Sequence, residues 1–410
     1  MELATLSYHP QAGWSVPAFP PLDSDQTLLL VFVPARLAWY REALVALAAA
    51  YPRSVLLGCS TAAAVCGRML QPHSLSAAVV RLERSSLRQV TLEPMGDATE
   101  AAHALGAQLR GAGLRAVLLL ADGAERGPWR RQGGLGGLSS ALCAVLPPDV
   151  VVIGCRASDD GAGEGGFLLT RDILCQEAQG SDAPPEQEAR IAVVSAVAFY
   201  GEALRMRGAV GGGWSPAGPA RIVTRAHGTR LYELDGQPAL RRYLDDLGIH
   251  GMPAPMLGAP LLLRRDGPSQ PGAVRAVLSL EEEEQALVLA EEVPAGPLWA
   301  QALTMAPEDL IAGARSAAAA LGGIGSGSGV PSLALVLGCR LRSILLGPQA
   351  ELEISAVREA LPRSCVLVGC LGDGQIGPSL ERYPLQGQLG PSELHNEVLS
   401  LLWLSEEEGA

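Results

Sequence analysis

Three cysteines in this chain stand in the same local setting, each directly after a glycine: Gly58-Cys59, Gly154-Cys155 and Gly369-Cys370. A thiolate is both a nucleophile and a soft metal ligand. Cys59 or Cys370, with His395 as base and an acid such as Asp373 to orient it, would supply the parts of a thiol-dependent or hydrolytic enzyme. Spacing points to no mononuclear metal site, since the eight cysteines contain no C-x-x-C pair and the six histidines no H-x-x-x-H. A haem needs only one axial His or Cys, so spacing leaves it open. All the basic side chains are arginine; with no lysine, P-loop and Schiff-base chemistry are both excluded. Arg340 directly follows Cys339 at the end of an apolar run, where its planar fork suits a carboxylate or phosphate.

The Gly-Cys pairs belong to a longer cassette. "YPRSVLLGCS", "PPDVVVIGCR" and "PRSCVLVGCL" each run from proline through a Val/Leu-rich stretch to Gly-Cys. Ahead of each lies an Ala/Leu-rich helical pattern, and ahead of that a continuous apolar run: "TLLLVFVPA", "LRAVLLLADG" and "SLALVLGCR". Runs of this length between turn residues suit strands covered on both faces. Each unit therefore reads strand, helix, strand, with the two strands parallel and their carboxyl ends on one sheet edge. Proline ends the helix, and Gly-Cys is expected where the second strand leaves the sheet. There glycine permits a sharp turn or a close backbone approach. Ligands of open α/β sheets settle at that edge.

The expected fold class is therefore α/β, with two related domains of strand-helix-strand units packed into one body. A chain of 410 residues is long for a single core. The boundaries read as an N-terminal tail over 1–22, a first domain over 23–219, a second over 220–405 and an acidic C-terminal tail over 406–410. Asp235-Gly236 marks a hairpin turn before an amphipathic helix, and Glu281 to Glu284 read as a solvated turn between two strands. The segments "CQEAQGSDAPPEQEAR" and "LGGIGSGSGVPS" read as a surface loop and a linker. The glycines of the latter precede a strand, which rejects a dinucleotide fingerprint. "GGLGGLSS" follows a strand and opens a helix, where it could hold an anion.

Composition limits the partners. The formal charge of −12 argues against nucleic acid, which needs clustered basic residues. No run approaches the roughly 18 apolar residues of a membrane span. The start shows no basic region followed by an apolar block, and several of the cysteines sit in apolar runs, so reduced thiols in the cytoplasm are expected.

The ordered set "LLLVFV", "YPRSVLLGCSTAAAVCG" and "SLSAAVVRL" resembles the FIST N domain. "GGGWSPAGPARIVTRAHGTRLYELDGQPALRRYLDDLG", "EEVPAGPLW", "LALVLGCRLRS", "LVGCLGDGQIGP" and "LHNEVLSLLWL" resemble the linker and FIST C domain. Gln375 stands where the family pattern has Glu. The resemblance implies a sensory module that binds a small molecule such as an amino acid or small carboxylate and signals through a separate protein partner. Relatives that bind haem as nitric-oxide sensors supply an alternative, and the thiol enzyme is another. The ligand-binding residues expected from placement at the sheet edge are Ser60, Thr61, Cys339, Arg340, Gly372, Asp373 and Gln375, with His395 and Asn396 near the rim.

Overall fold

The computed structural model describes residues 1–93, 97–123, 134–159, 166–172, 174, 194–250, 258–322, 330–380, 386–387 and 391–407. The surface loop and linker named above lie largely outside these residues. Mixed sheets and helices alternate as expected of an α/β protein. Each cassette forms its strand-helix-strand unit. Strand Thr27–Pro34 pairs in parallel with Val55–Thr61 across helix Arg41–Ala50. Leu114–Ala121 pairs with Val151–Arg156 across helix Gly134–Val145, and Ser332–Cys339 with Cys365–Gly372 across helices Arg340–Leu346 and Ala350–Ala360. The first strand of each unit also carries an antiparallel neighbour on its other side: Leu75–Arg81, Val194–Tyr200 and Leu399–Glu406 respectively.

Period-two alternation sorts the buried strands between two kinds of core. Leu28, Leu30, Phe32, Leu57, Leu118, Leu120, Ile153, Leu335, Leu337 and Val368 enter one central core shared by all three units. Their neighbours on the opposite faces pack under each unit's own helices. Leu29, Val31 and Val33 meet Leu44 and Leu47; Val117 and Leu119 meet Leu105 and Leu138; Ala334 and Val336 meet Ala317 and Val357. The repeated apolar runs thus join three sheets back to back.

Strand exchange ties the units into a cycle. The outer edge of each Gly-Cys strand receives an antiparallel strand from the next unit along. Leu168–Thr170 pairs with Val55–Thr61, Gly374–Pro378 with Val151–Arg156, and Ala64–Cys66 with Cys365–Gly372. Backbone hydrogen bonds close the ring with the same offsets each time. The carbonyl one residue past the cysteine accepts from the amide three residues past the cysteine of the next unit: Ser158 N to Ser60 O at 3.2 Å, Asp373 N to Arg156 O at 3.1 Å and Ala62 N to Leu371 O at 3.2 Å. The arrangement is a quasi-threefold ring.

Two sequence expectations change in detail. The segment expected as an N-terminal tail contributes strand Glu2–His9, paired with Leu75–Arg81 along seven residues. The expected boundary near Pro219 does not divide the sheets, since Leu204–Gly211 pairs with Leu399–Glu406 and Gly374–Pro378 with Val151–Arg156. Sequence patterning identifies strands but not which chain segment fills each sheet edge. Between 204–211 and the third unit lies a mainly antiparallel sheet with helix Ala239–Asp246. Its Asp235-Gly236 turn has both residues at positive φ, 52° and 69°, as a type I′ hairpin requires. Glu282 to Glu284 are exposed, in keeping with a solvated turn, whereas Glu281 ends strand Val277–Glu281 and pairs with Arg230 at 2.9 Å.

The glycine of the cassette serves close approach, not a turn. A Cβ on Gly58, Gly154 or Gly369 would lie 2.0, 1.9 and 1.9 Å from the carbonyl oxygens of Val31, Leu119 and Val336, the residues opposite them in register. No side chain fits there without parting the parallel strands. Gly154→Ala and Gly369→Ala are each expected to cost about 3 kcal/mol or more in urea unfolding. Gly136→Ala, in a helix where a new Cβ meets only Leu394 at 3.7 Å, is expected to be neutral or to stabilise by up to about 1 kcal/mol.

Candidate functional site

Beyond the ring, the third unit's carboxyl edge opens into a cleft of about 530 Å³. Ala62, Ala63, Leu70 and Pro72 of the first unit form one side. Arg340, Ser343, Ile344, Glu351 and Leu371 line the other. The walls are mostly apolar, with one cation, one carboxylate and one hydroxyl among the lining groups, a makeup common in small-molecule sites. Arg340 is held rather than loose. Its Nε donates to Asp373 Oδ1 at 2.7 Å, and Ser158 Oγ donates to the same oxygen at 2.9 Å. Burial opposes the Arg340 charge, but the Asp373 bond outweighs it and holds the guanidinium above its ordinary pKa.

The other expected ligand residues take structural roles. Ser60 Oγ donates to Ser158 O at 2.8 Å and accepts from Phe167 N at 2.9 Å, so it joins the first two units. Thr61 Oγ1 lies 2.7 Å from Ala63 O and accepts from Leu371 N at 2.9 Å. A Cβ on Gly372 would strike Arg156 O at 2.4 Å, which again marks close approach of two backbones. Cys339 Sγ accepts from Glu397 N at 3.3 Å, and burial pushes its thiol up to about 11. Gln375 is fully buried and donates to Gly338 O and Gly372 O.

His395 and Asn396 lie in the interior, not at a rim; both are fully buried. The antiparallel sheet covers them. His395 Nδ1 accepts from Val274 N at 3.4 Å, which makes Nε2 the donor to Gly377 O at 3.2 Å. Burial, with Arg275 nearby, pushes its pKa down to about 3, so the ring is neutral. Asn396 Oδ1 accepts from Ala276 N at 3.3 Å. Sequence gave no sign of this cover, because residues 272–276 lie more than a hundred positions away. Next to them, Glu397 has positive φ, 55°, and its carboxyl is pushed up to about 7 by burial, against the lowering influence of Arg342.

The three ring cysteines meet at the centre. Cys59, Cys155 and Cys370 are each fully buried, with all three sulfurs within 4.8 Å of one another and Cys155 Sγ 3.7 Å from Cys370 Sγ. Hydrogen bonding to Cys155 pushes the Cys59 thiol well up, and burial does so for Cys370. Hydrogen bonding with the Cys370 thiol, and then with Cys59, lowers the Cys155 thiol and makes it the member whose thiolate is favoured. Neither Cys59 nor Cys370 offers an exposed thiolate, and both nitrogens of His395 are engaged by backbone. The geometry does not assemble the thiol enzyme. Nor does the cleft fit a haem, since no His or Cys lines it. A second cleft, about 330 Å³, brings His9 and His73 together beside Trp39 and Tyr40, but its size is near the lower end for small-molecule sites.

The fold defines a mixed α/β protein of three strand-helix-strand units closed into a ring. The chain belongs to the FIST family: the FIST N domain matches residues 27–237 and the FIST C domain residues 239–378. FIST domains are associated with small-ligand sensing in signal transduction. Comparison with curated proteins gave no match. Among the described residues no helix is long and apolar enough to cross a membrane.

Two outcomes follow from the site's titrating groups. A carboxyl whose pKa is raised on folding costs stability as pH rises from its unfolded value through its folded one. For Glu397 that window runs from about 4.5 to about 7. Glu397→Gln is expected to match the parent near pH 4.5 and to exceed it by on the order of 2–3 kcal/mol at pH 8, read from urea midpoints. Alkylation of the native protein is expected to reach the half-buried Cys66 and Cys143 well before Cys59, Cys155, Cys339, Cys365 or Cys370; rapid labelling of Cys59 or Cys370 would restore a catalytic reading.

Proposed function

We propose that this protein is a sensory module that binds a small amino acid or carboxylate in the Arg340 cleft and passes its occupancy to a separate signalling protein. The observation that carries this reading is the pairing of a mostly apolar cleft of about 530 Å³ with an arginine fixed by Asp373. A guanidinium already oriented by one carboxylate loses little freedom on meeting a second. Ser343 and Glu351 are further polar groups for a zwitterion, and Leu70, Ile344 and Leu371 offer contacts to its apolar part.

Signalling through a partner rests on the cleft's position between units. One wall is the first unit's loop and the other the third unit's helices, so a ligand touching both would favour one relative placement of the two. That differential affinity is what a partner could read.

Screening the purified chain against amino acids and organic acids by thermal shift tests the reading. A stabilising ligand is expected, with its affinity reduced at least tenfold in Arg340→Ala, equivalent to about 1.4 kcal/mol, while Arg205→Ala leaves it unchanged. Binding unaffected by Arg340→Ala would move the site elsewhere. An absorption spectrum of the protein as purified addresses the rival reading. A Soret band lost in His9→Ala or His73→Ala would establish haem at the smaller cleft instead.

A further inference from the structure

The ring of thiols has a composition and setting that select for one kind of guest. Cys59, Cys155 and Cys370 come from three equivalent strand positions, each one residue past the glycine that admits its parallel neighbour. Their sulfurs form the only such cluster of His, Cys, Asp or Glu among the described residues, and it has three members. All three are 0% exposed and belong to the central apolar core with Phe32, Leu57, Leu118 and Leu337. A pyramidal trivalent centre with bonds of about 2.3 Å to sulfur and angles of roughly 100° places its sulfurs about 3.5 Å apart. Cys155 Sγ and Cys370 Sγ, 3.7 Å apart, stand close to that span, and the Cys59 sulfur lies within 4.8 Å of both, a separation that small side-chain rotations can close.

Charge then separates the candidate guests. Three thiolates around monovalent copper leave two negative charges in the core, and around zinc they leave one. Either costs several kcal/mol when buried without a counter-ion. Zinc also takes a fourth ligand in structural sites, and the cluster supplies three. A trivalent centre bound by three thiolates is neutral. We propose that Cys59, Cys155 and Cys370 form a binding site for a trivalent thiophilic metalloid of the arsenite class.

Binding balances without an oxidant or reductant. Arsenous acid exchanges its three As–O bonds for three As–S bonds; each thiol gives its proton to a departing hydroxyl, and three waters leave. Arsenic stays trivalent and no net charge enters the core. The incoming acid is itself uncharged at neutral pH, so it can reach a buried site through transient opening of the strand ends. Rigid strands hold the three sulfurs at bonding range before the guest arrives, and this preorganisation favours three-coordinate capture. The site is separate from the Arg340 cleft and stands whether or not a ligand binds there.

The test uses the full reduced chain and arsenite as the probe. One arsenic per chain is expected after gel filtration, read by elemental analysis and native mass. X-ray absorption should show three sulfur neighbours and no oxygen. Cys59→Ser, Cys155→Ser and Cys370→Ser should each reduce uptake from one to none, and Cys66→Ser and Cys143→Ser should leave it at one. Should the ring variants fail to fold, the absorption spectrum of the parent still decides, because oxygen neighbours or fewer than three sulfurs would overturn the proposal. So would uptake that survives a ring substitution in a folded variant, or preferential uptake of zinc or monovalent copper from an equimolar mixture with arsenite.

Discussion

Everything in this molecule depends on three places where a parallel strand comes so close that the residue opposite it can carry no side chain. Gly58, Gly154 and Gly369 face Val31, Leu119 and Val336, and a Cβ at any of them would lie within about 2 Å of a carbonyl oxygen. Close approach at that level fixes where each second strand ends relative to the first. It therefore fixes the residues that follow, whose backbone groups close the ring between units. Cysteine is small and apolar enough to fill the centre. The glycine and the cysteine are thus two parts of one packing solution, one facing a neighbouring backbone and the other the shared core.

Buried polar groups show how the remaining chain is fastened to that ring. Arg342 has no exposed surface, yet its guanidinium donates to Glu353 at 2.7 Å and to the carbonyls of Leu310, Gly212 and Glu397. Removing one partner of such a set costs far more than the set contributes, so its value lies in fixing one arrangement rather than in net stability. It joins the third unit's helices to the strand exchanged from the first half and to the turn at 396–397. Trp214 Nε1 also donates to Glu397 O, at 2.9 Å. The positive φ of Glu397 is thereby held by several elements at once.

Much of this was legible in the sequence, and the limits have a physical cause. Strands buried on both faces announce themselves by continuous apolar runs, and the cassettes at 51–60, 147–156 and 362–371 duly form parallel pairs. The Asp235-Gly236 turn was readable because its φ values restrict residue type. What spacing could not show was which distant segment fills each sheet edge. Strand 168–170 belongs with the first unit and 374–378 with the second, and nothing local in either records its partner. The cover over His395 and Asn396 was hidden for the same reason. Arg340 and Asp373 could be placed at an open edge because they follow strand ends directly; Ser60 and Thr61 are the last two residues of their strand, and the unit interface consumes their hydroxyls.

The threefold pattern is broken in its side chains. Positions three residues past the ring cysteines are equivalent in backbone bonding, yet they hold Ala62, Ser158 and Asp373. Alanine leaves a cleft wall, serine supplies a donor, and aspartate receives both that donor and Arg340. The three units thus contribute different chemistry to neighbouring points through one repeated backbone. Ser60, bonded to Ser158 O, extends the same connection back to the first unit. A chain of contacts therefore runs from Arg340 through Asp373 and Ser158 to Ser60 and touches all three units. Because the backbone ring is satisfied whichever side chains stand at these positions, a charged pair can be introduced at one of them without disturbing the other two. Symmetry in the main chain secures the core; its absence in the side chains places one charged pair, Arg340 and Asp373, at a single edge.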